Sequence, residues 1–146
     1  MLRDFSPSPI YLGYGKYLFY RFVTKGHPYL GGPYRKFYPD GIKIIPQDIS
    51  TVLKTPPELA IYFMDDGTVD KRIGSMLFET QSFPEPQIHT LAKCLLDNFN
   101  LKAAVHKSGK KRGKRLYLAV REAKKLKNII EPHVLNCMKY KLLIPL

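Results

Sequence analysis

The sequence predicts an α+β fold in which helices cover one face of a four-stranded antiparallel sheet. From residue 56 onward, the local patterns follow the order helix, hairpin, helix, hairpin, helix, or αββαββα. In the second hairpin, apolar residues occupy every other position, as in strands that bury one face and expose the other. The helix between the hairpins has apolar residues at helical spacing, so it can cover the buried face.

The first helix of this series is predicted over residues 56–66. Thr55 and Glu58 form a capping box, and Pro56 suits the first helical position. Gly67 is expected to close the helix in the left-handed conformation that glycine adopts readily.

Two adjacent carboxylates, Asp65 and Asp66, end this helix. They lie at the negative end of the helix dipole, where an acidic side chain costs roughly 0.3–1 kcal/mol. Local stability therefore disfavours both residues. A bound divalent cation is the simplest compensation, because hard cations such as Mg²⁺ prefer carboxylate oxygens.

The first hairpin is predicted from strands over 68–73 and 75–83 that turn at Gly74. Ser82 and Glu85 form a second capping box and begin the next helix. The apolar face of that helix consists of Ile88, Leu91, Ala92, Leu95, Leu96 and Phe99.

The second hairpin is predicted from strands over 101–107 and 115–121, joined by a turn rich in glycine and lysine. The inward residues of its returning strand are Leu116, Leu118 and Val120. A last helix is predicted over about 123–137, and Pro132 should kink or break it. Its apolar face carries Leu126, Ile129, Ile130, His133, Val134 and Cys137.

The first part of the chain divides into an arm and a possible partial repeat. An irregular arm is predicted over residues 1–15 and a strand over 16–24. Because Gly and Pro interrupt residues 26–40, any helix there is expected to be short or to start late. Residues 16–22 laid on 114–120 match at the inward positions, although chance could produce this similarity. We therefore expect an arm and partial first repeat over 1–55 and a complete repeat over 56–146.

The charge of the chain favours a polyanionic partner. The sequence has 24 Lys and Arg against 12 Asp and Glu, a formal net charge of +12. Between Lys102 and Lys127 there are eleven basic residues and one acidic residue, Glu122. Such a concentrated basic stretch usually binds nucleic acid, and a solvated lysine-rich face is the alternative.

The remaining composition argues against several other classes of protein. The two cysteines, Cys94 and Cys137, are far apart and are expected on apolar helix faces, so neither a disulfide framework nor a zinc site is predicted. No apolar run has the length of a signal peptide core or a membrane span. We expect a soluble intracellular protein, in a bacterial cytoplasm or an organelle, that does not bind membranes.

The segment 59–67, Leu-Ala-Ile-Tyr-Phe-Met-Asp-Asp-Gly, together with the αββαββα order and the basic strand faces, resembles the LAGLIDADG homing endonucleases. Leu59, Ala60, Asp66 and Gly67 match the family's signature by position. The Met-Asp-Asp-Gly ending resembles the branch of intron-encoded endonucleases and maturases. The resemblance covers residues 56–143.

The resemblance implies a catalytic role for four residues. Asp66 would bind the metal ion, Mg²⁺ or another divalent cation, and Gln81 would order solvent beside it. Lys141 would lie near the scissile phosphate, with Lys43 as its counterpart in the first repeat. Asp65 stays open as a second metal ligand, an interface residue or a turn residue.

The resemblance also implies that outward strand residues contact DNA bases, namely Lys71, Arg72, Lys102, His106, Arg115 and Tyr117. The cations in and beside the second hairpin turn would meet phosphates, namely Lys107, Lys110, Lys111, Arg112 and Lys114. The expected partner is double-stranded DNA, with intron RNA as a second candidate.

The implied activity is site-specific hydrolysis of double-stranded DNA by a homing endonuclease. Cutting both strands takes two active sites, yet the chain has one complete motif. Either two copies or a partner half associate through the helix at 56–66, or the chain lacks its first repeat. The alternatives are a nucleic-acid-binding protein without cleavage, such as an RNA maturase or a degenerate DNA-binding relative, and an interaction protein with an incidental basic surface.

Overall fold

The computed structural model describes residues 10–14, 17–21, 27–109 and 113–143, with the backbone alone for the first two segments. The chain divides into two compact units, Met1–Ile42 and Lys43–Leu146. The predicted division at residue 55 concerns repeats rather than compact units, and it stays a prediction.

The first unit contains a hairpin and a helix. Strand β1 (Ile10–Tyr14) pairs antiparallel with β2 (Tyr17–Arg21). The irregular arm predicted over 1–15 is therefore wrong for β1, whose β-prone residues find a partner in the strand that follows. Helix α1 (Pro28–Phe37) is neither short nor late, because His27 accepts the backbone N–H of Tyr29 and Pro28 suits the first position.

The second unit has the predicted order of elements and the predicted four-stranded antiparallel sheet. The elements are α2 (Pro56–Asp66), β3 (Gly67–Asp70), β4 (Ser75–Phe78), α3 (Glu85–Phe99), β5 (Ala104–Lys107), β6 (Lys114–Leu118) and α4 (Val120–Ile130). The strands lie in the order β3-β4-β6-β5, and every neighbouring pair is antiparallel.

The core lies between the helices and one face of this sheet. Phe78 is opposite Leu116 and Met76 is opposite Leu118, and all four side chains are fully buried. Because residues directly opposite each other share a face, the alternate positions form a second face, here called the open face. Its members include Thr68, Asp70, Ser75, Leu77, Ala104, His106, Arg115 and Tyr117.

Several predicted boundaries are wrong. The helix after the first hairpin begins at Glu85 following Pro84, and Ser82 does not cap it. Val120 begins α4 and is 38% exposed, because β6 ends at Leu118. Helix α4 ends at Ile130, as expected from Pro132, and the chain continues in short 3₁₀ helices that leave His133 and Cys137 exposed.

Two side chains of α3 form hydrogen bonds with the segment before α2. The Oε1 atom of Gln87 accepts the N–H of Ile45 at 3.0 Å, and the Nδ2 atom of Asn98 donates to the carbonyl of Leu53 at 2.7 Å. Ile45 and Leu53 are buried. These contacts fix the path of the chain that carries Lys43. No helix within the described residues is long and apolar enough to cross a membrane.

Candidate functional site

The two carboxylates of the motif lie where α2 passes directly into β3. Asp66 is half-buried and Asp65 is exposed. The N–H of Gly67 closes the helix by donating to the carbonyl of Phe63. The carbonyl of Asp66 in turn accepts the N–H of Glu79 at 2.9 Å, so the end of the helix is tied to the chain leaving β4.

The left-handed conformation predicted for Gly67 is wrong. Its φ of −83° and ψ of 145° are extended values that any residue can adopt. A Cβ atom at this position would instead collide with the ring and the carbonyl oxygen of Phe63. The glycine is required by this close approach, which permits a helix and a strand to join without a loop.

The environment of Asp66 disfavours its negative charge. Burial raises the pKa of Asp66, and the neighbouring charge of Asp65 adds to this effect. The ammonium groups of Lys43 and Lys141 act in the opposite direction. A cation placed beside this carboxylate would stabilise its ionised form.

Lys141 has a defined position at the end of α2. Its Nζ atom donates to the carbonyl of Met64 at 2.6 Å and to the carbonyl of Asp65 at 3.3 Å. Cations stabilise the C-terminal end of a helix in this way. Lys141 therefore caps the helix and also brings its charge to Asp66, and its catalytic role stays a prediction.

Lys43 and Gln81 come from two other segments, and the charge of Lys43 acts on Asp66. The ammonium of Lys43 lies 5.6 Å from the centre of the Phe83 ring. Gln81 lies in the turn between β4 and α3, beyond the strand end where it was predicted. Gly113 packs on its backbone, since a Cβ atom there would lie 2.9 Å from the Cα of Gln81.

Sequence reasoning missed Glu79. Its carboxylate accepts a hydrogen bond from the Nε2 atom of Gln81. Its Oε2 atom also lies 2.9 Å from the Nε atom of Arg115, in an ion pair without hydrogen-bond geometry. The available signal was strand alternation, because Leu77 is opposite Tyr117 and the next outward positions are Glu79 and Arg115.

The open face carries three of the residues predicted to contact DNA. Arg115 is opposite His106, and the rings of His106 and Tyr117 stack with centroids 4.5 Å apart. Lys102 is exposed but precedes β5, where its backbone N–H donates to Glu122.

The other predicted contacts lie elsewhere. Lys71 and Arg72 belong to the turn between β3 and β4 rather than to a strand, because pairing stops at Asp70, whose carboxylate binds Arg72. Lys107 and Lys114 are opposite each other beside the hairpin turn, and Lys114 forms an ion pair with Glu85. Lys110, Lys111 and Arg112 lie outside the described residues.

The donor set at the junction fits a metal ion shared with a substrate. Among the described residues, no group of three or more His, Cys, Asp or Glu could hold a metal ion. Mg²⁺, however, is commonly bound by one or two carboxylates together with substrate phosphates. Asp66, half-buried and lacking full charge compensation, suits such a shared ion.

The family model of the LAGLIDADG DNA endonuclease family matches residues 8–126. The chain belongs to this family. The match covers parts of both compact units, and it confirms the family predicted from the segment 59–67.

Two individual proteins are similar to this chain. The cytochrome b mRNA maturase bI2 of Debaryomyces hansenii is 30% identical over 122 residues, which are 84% of this chain and 45% of that protein. The chain thus spans less than half of that relative's length. The solved structure of the homing endonuclease I-WcaI bound to its DNA recognition sequence is 24% identical, with a TM-score of 0.89 over 99% of this chain and 68% of that chain. This likeness confirms the predicted fold.

Proposed function

We propose that this chain is a metal-dependent homing endonuclease that hydrolyses double-stranded DNA at a specific sequence. The observation that carries the proposal is the environment of Asp66, a half-buried carboxylate at the α2–β3 junction acted on by Lys43 and Lys141. Gln81 approaches the same place through Glu79. A carboxylate, two cations and an amide are the groups that phosphodiester hydrolysis can use.

Each residue has a distinct part in this proposal. Asp66 would hold a divalent cation, which when bound would supply polarisation of the phosphate and of the attacking water. Lys141 and Lys43 stabilise the negative charge that develops on the phosphate. Gln81 orients water at the site. Lys141 acts from its position on the carbonyls of α2, which fixes its ammonium group beside Asp66.

The open face and the cations around the second hairpin turn would hold the DNA. A two-stranded ribbon fits the major groove, where side chains such as Arg115 read base edges. Lysines beside the turn would contact phosphates without regard to sequence. The family match and the DNA-bound homing endonuclease of similar fold both support this partner.

Association through α2 would supply the second active site. The helix leaves Ile61 64% exposed, and Asp65 is exposed one turn later on the same face. An exposed branched apolar side chain on a short helix supports contact with a second copy or a partner half. Each copy would then cut one strand.

The substitution Asp66→Asn tests the catalytic assignment. A pool of randomised duplexes is first selected for cleavage by the wild-type protein with Mg²⁺. We expect Asp66→Asn to lower cleavage of the selected duplex by a factor on the order of 100 or more, because the amide carries no charge for the cation. The dissociation constant for the same duplex, measured with Ca²⁺, should change little.

The control is Asp97→Asn, which removes an exposed acid of α3 that pairs with Lys93. It should cleave normally, and full activity in Asp66→Asn would overturn the assignment. An equal mixture of wild-type protein and Asp66→Asn also tests association. If two chains share the task, the mixture should accumulate nicked duplex.

The second candidate is RNA binding without cleavage, as in a maturase. It is favoured by the relative named a cytochrome b mRNA maturase. A wild-type protein that binds intron RNA and cuts no duplex from the selected pool would support this function instead.

For either function, we propose that the protein resides in an organelle or a bacterial cytoplasm.

A further inference from the structure

Glu79 makes contacts that the proposed mechanism leaves unused. Its backbone N–H holds the carbonyl of Asp66 at 2.9 Å. Its side chain, 34% exposed, accepts from the Nε2 atom of Gln81 and pairs with Arg115. One acidic residue thus touches the segment of the metal-binding candidate, the water-orienting candidate and a cation of the open face.

This carboxylate is unfavourable for the simplest activities of the site. It places negative charge on a face that would bind a polyanion, and its charge contributes to raising the pKa of Asp66. A residue that opposes both nucleic-acid binding and ionisation of the metal ligand is expected to have a compensating role.

The compensating role follows from the hydrogen-bonding capacity of the two side chains. An ionised carboxylate only accepts hydrogen bonds, so the end of the Gln81 amide that faces Glu79 must be its nitrogen. The Oε1 atom of Gln81 then lies on the other arm of the amide, and no donor to it is found among the described residues. Without Glu79, the amide could present either end.

We propose that Glu79 is a positioning residue that fixes the Gln81 amide so that Oε1, rather than Nε2, is presented to the site. This inference rests on the proposed function and specifies how Gln81 takes part in it. An acceptor at the site binds a water through one of its hydrogens, which leaves the lone pairs of the water free for attack on phosphorus. A donor in the same place would instead occupy one of those lone pairs.

Three substitutions separate this role from a structural one. Glu79→Ala removes the acceptor, so kcat for the selected duplex should fall about 10- to 100-fold, as is common when an outer partner of a site residue is lost. KM should not rise, because Arg115 is released to the nucleic acid. Glu79→Gln can still accept from Nε2 through its own Oε1, and it should restore kcat to within about threefold of wild type.

The matched control is Glu85→Gln. Glu85 is also a carboxylate paired with a cation of β6, Lys114, but the hydrogen bond of the Gln81 amide goes to Glu79 instead. Glu85→Gln should leave kcat unchanged. A fall in kcat equal to that of Glu79→Ala would indicate a general charge effect and overturn the positioning role.

A second measurement does not depend on cleavage. In ¹⁵N-labelled protein, the two side-chain N–H resonances of Gln81, assigned by their loss in Gln81→Ala, should be separated, with one displaced by its bond to Glu79. Glu79→Ala should abolish the displacement, and Glu85→Gln should preserve it. Unchanged resonances together with unchanged kcat in Glu79→Ala would overturn this inference alone. The proposed function would instead be overturned by a wild-type protein that cuts no duplex from the pool.

Discussion

At the scale of single residues, the ionised carboxylate of Asp66 destabilises the fold that contains it. Burial and the neighbouring Asp65 raise the pKa of its carboxyl above the ordinary value of 3.8. A raised pKa in the folded state means that the protonated form stabilises the fold. That stabilisation is fully present below the unfolded value and is lost as the pH rises through the folded value.

Asp66→Asn should therefore stabilise the protein while it abolishes cleavage. At pH 7 we expect a small gain in the free energy of unfolding, because an uncharged amide replaces a disfavoured carboxylate whose charge solvent partly screens. The gain should shrink as the pH falls toward 3.8 and the wild-type carboxyl becomes neutral. Urea unfolding of both proteins across this pH range measures it, and a destabilised variant at pH 7 would contradict the explanation.

The candidate site also shows what the residues alone could reveal. Asp66 was predicted from a local conflict, because two acids end a helix whose dipole disfavours them. Lys141, Lys43 and Gln81 could be assigned only through the family resemblance, since each arrives from a distant segment. Glu79 was missed because strand alternation places it outward without identifying its partners, which depend on the register of β4 with β6.

At the scale of secondary-structure elements, the junction between α2 and β3 depends on the absence of a side chain at Gly67. The helix passes into the strand with no loop, and the glycine backbone lies against Phe63. The extended φ and ψ of Gly67 impose no conformational cost on a larger residue. A larger residue at position 67 is excluded only by the lack of space beside Phe63.

Gly67→Ala should destabilise the second unit by about 1–3 kcal/mol, the usual cost of forcing an extra methyl group into a packed core. The midpoint of urea unfolding followed by circular dichroism measures this loss. The comparison is Gly32→Ala, within α1, where an added Cβ atom meets nothing within 4 Å. That change should be neutral or slightly stabilising, and equal effects at both positions would refute the steric explanation.

The order and type of elements in the second unit were predictable because apolar periodicity reflects burial on one face. The ends were less predictable, because they depend on contacts between elements. Pro132 stops α4, yet Val134 is buried by a 3₁₀ segment that continues the apolar spacing. This spacing resembles that of a longer helix. For that reason Cys137 was predicted on an apolar helix face, whereas it is exposed.

At the scale of the whole molecule, the described acidic residues are largely engaged by nearby donors and cations. Glu58 accepts two backbone N–H groups at the start of α2, and Glu122 accepts the N–H of Lys102 and pairs with Lys125. The excess of 12 positive charges is consequently left for an external partner. Binding dominated by phosphate contacts should weaken steeply as salt concentration rises.

The triple substitution of Lys110, Lys111 and Arg112 by Ala tests where that partner binds. If all three contact phosphates, the slope of log affinity against log salt should flatten by about 2.7, at about 0.9 per contact for a duplex. Affinity for unrelated duplexes should fall as much as affinity for the selected one, because phosphate contacts carry no sequence information. Fluorescence anisotropy over a salt series measures both quantities.

The control for this prediction replaces three exposed cations of the helices, Lys93, Arg121 and Lys124, by Ala. These helices cover the core face of the sheet, so a duplex on the open face should not contact them. The control protein should therefore keep the salt slope of the wild type. A slope lost in the control and kept in the hairpin variant would place the nucleic acid on the helical side, and the strand residues Arg115 and Tyr117 would then have no part in reading bases.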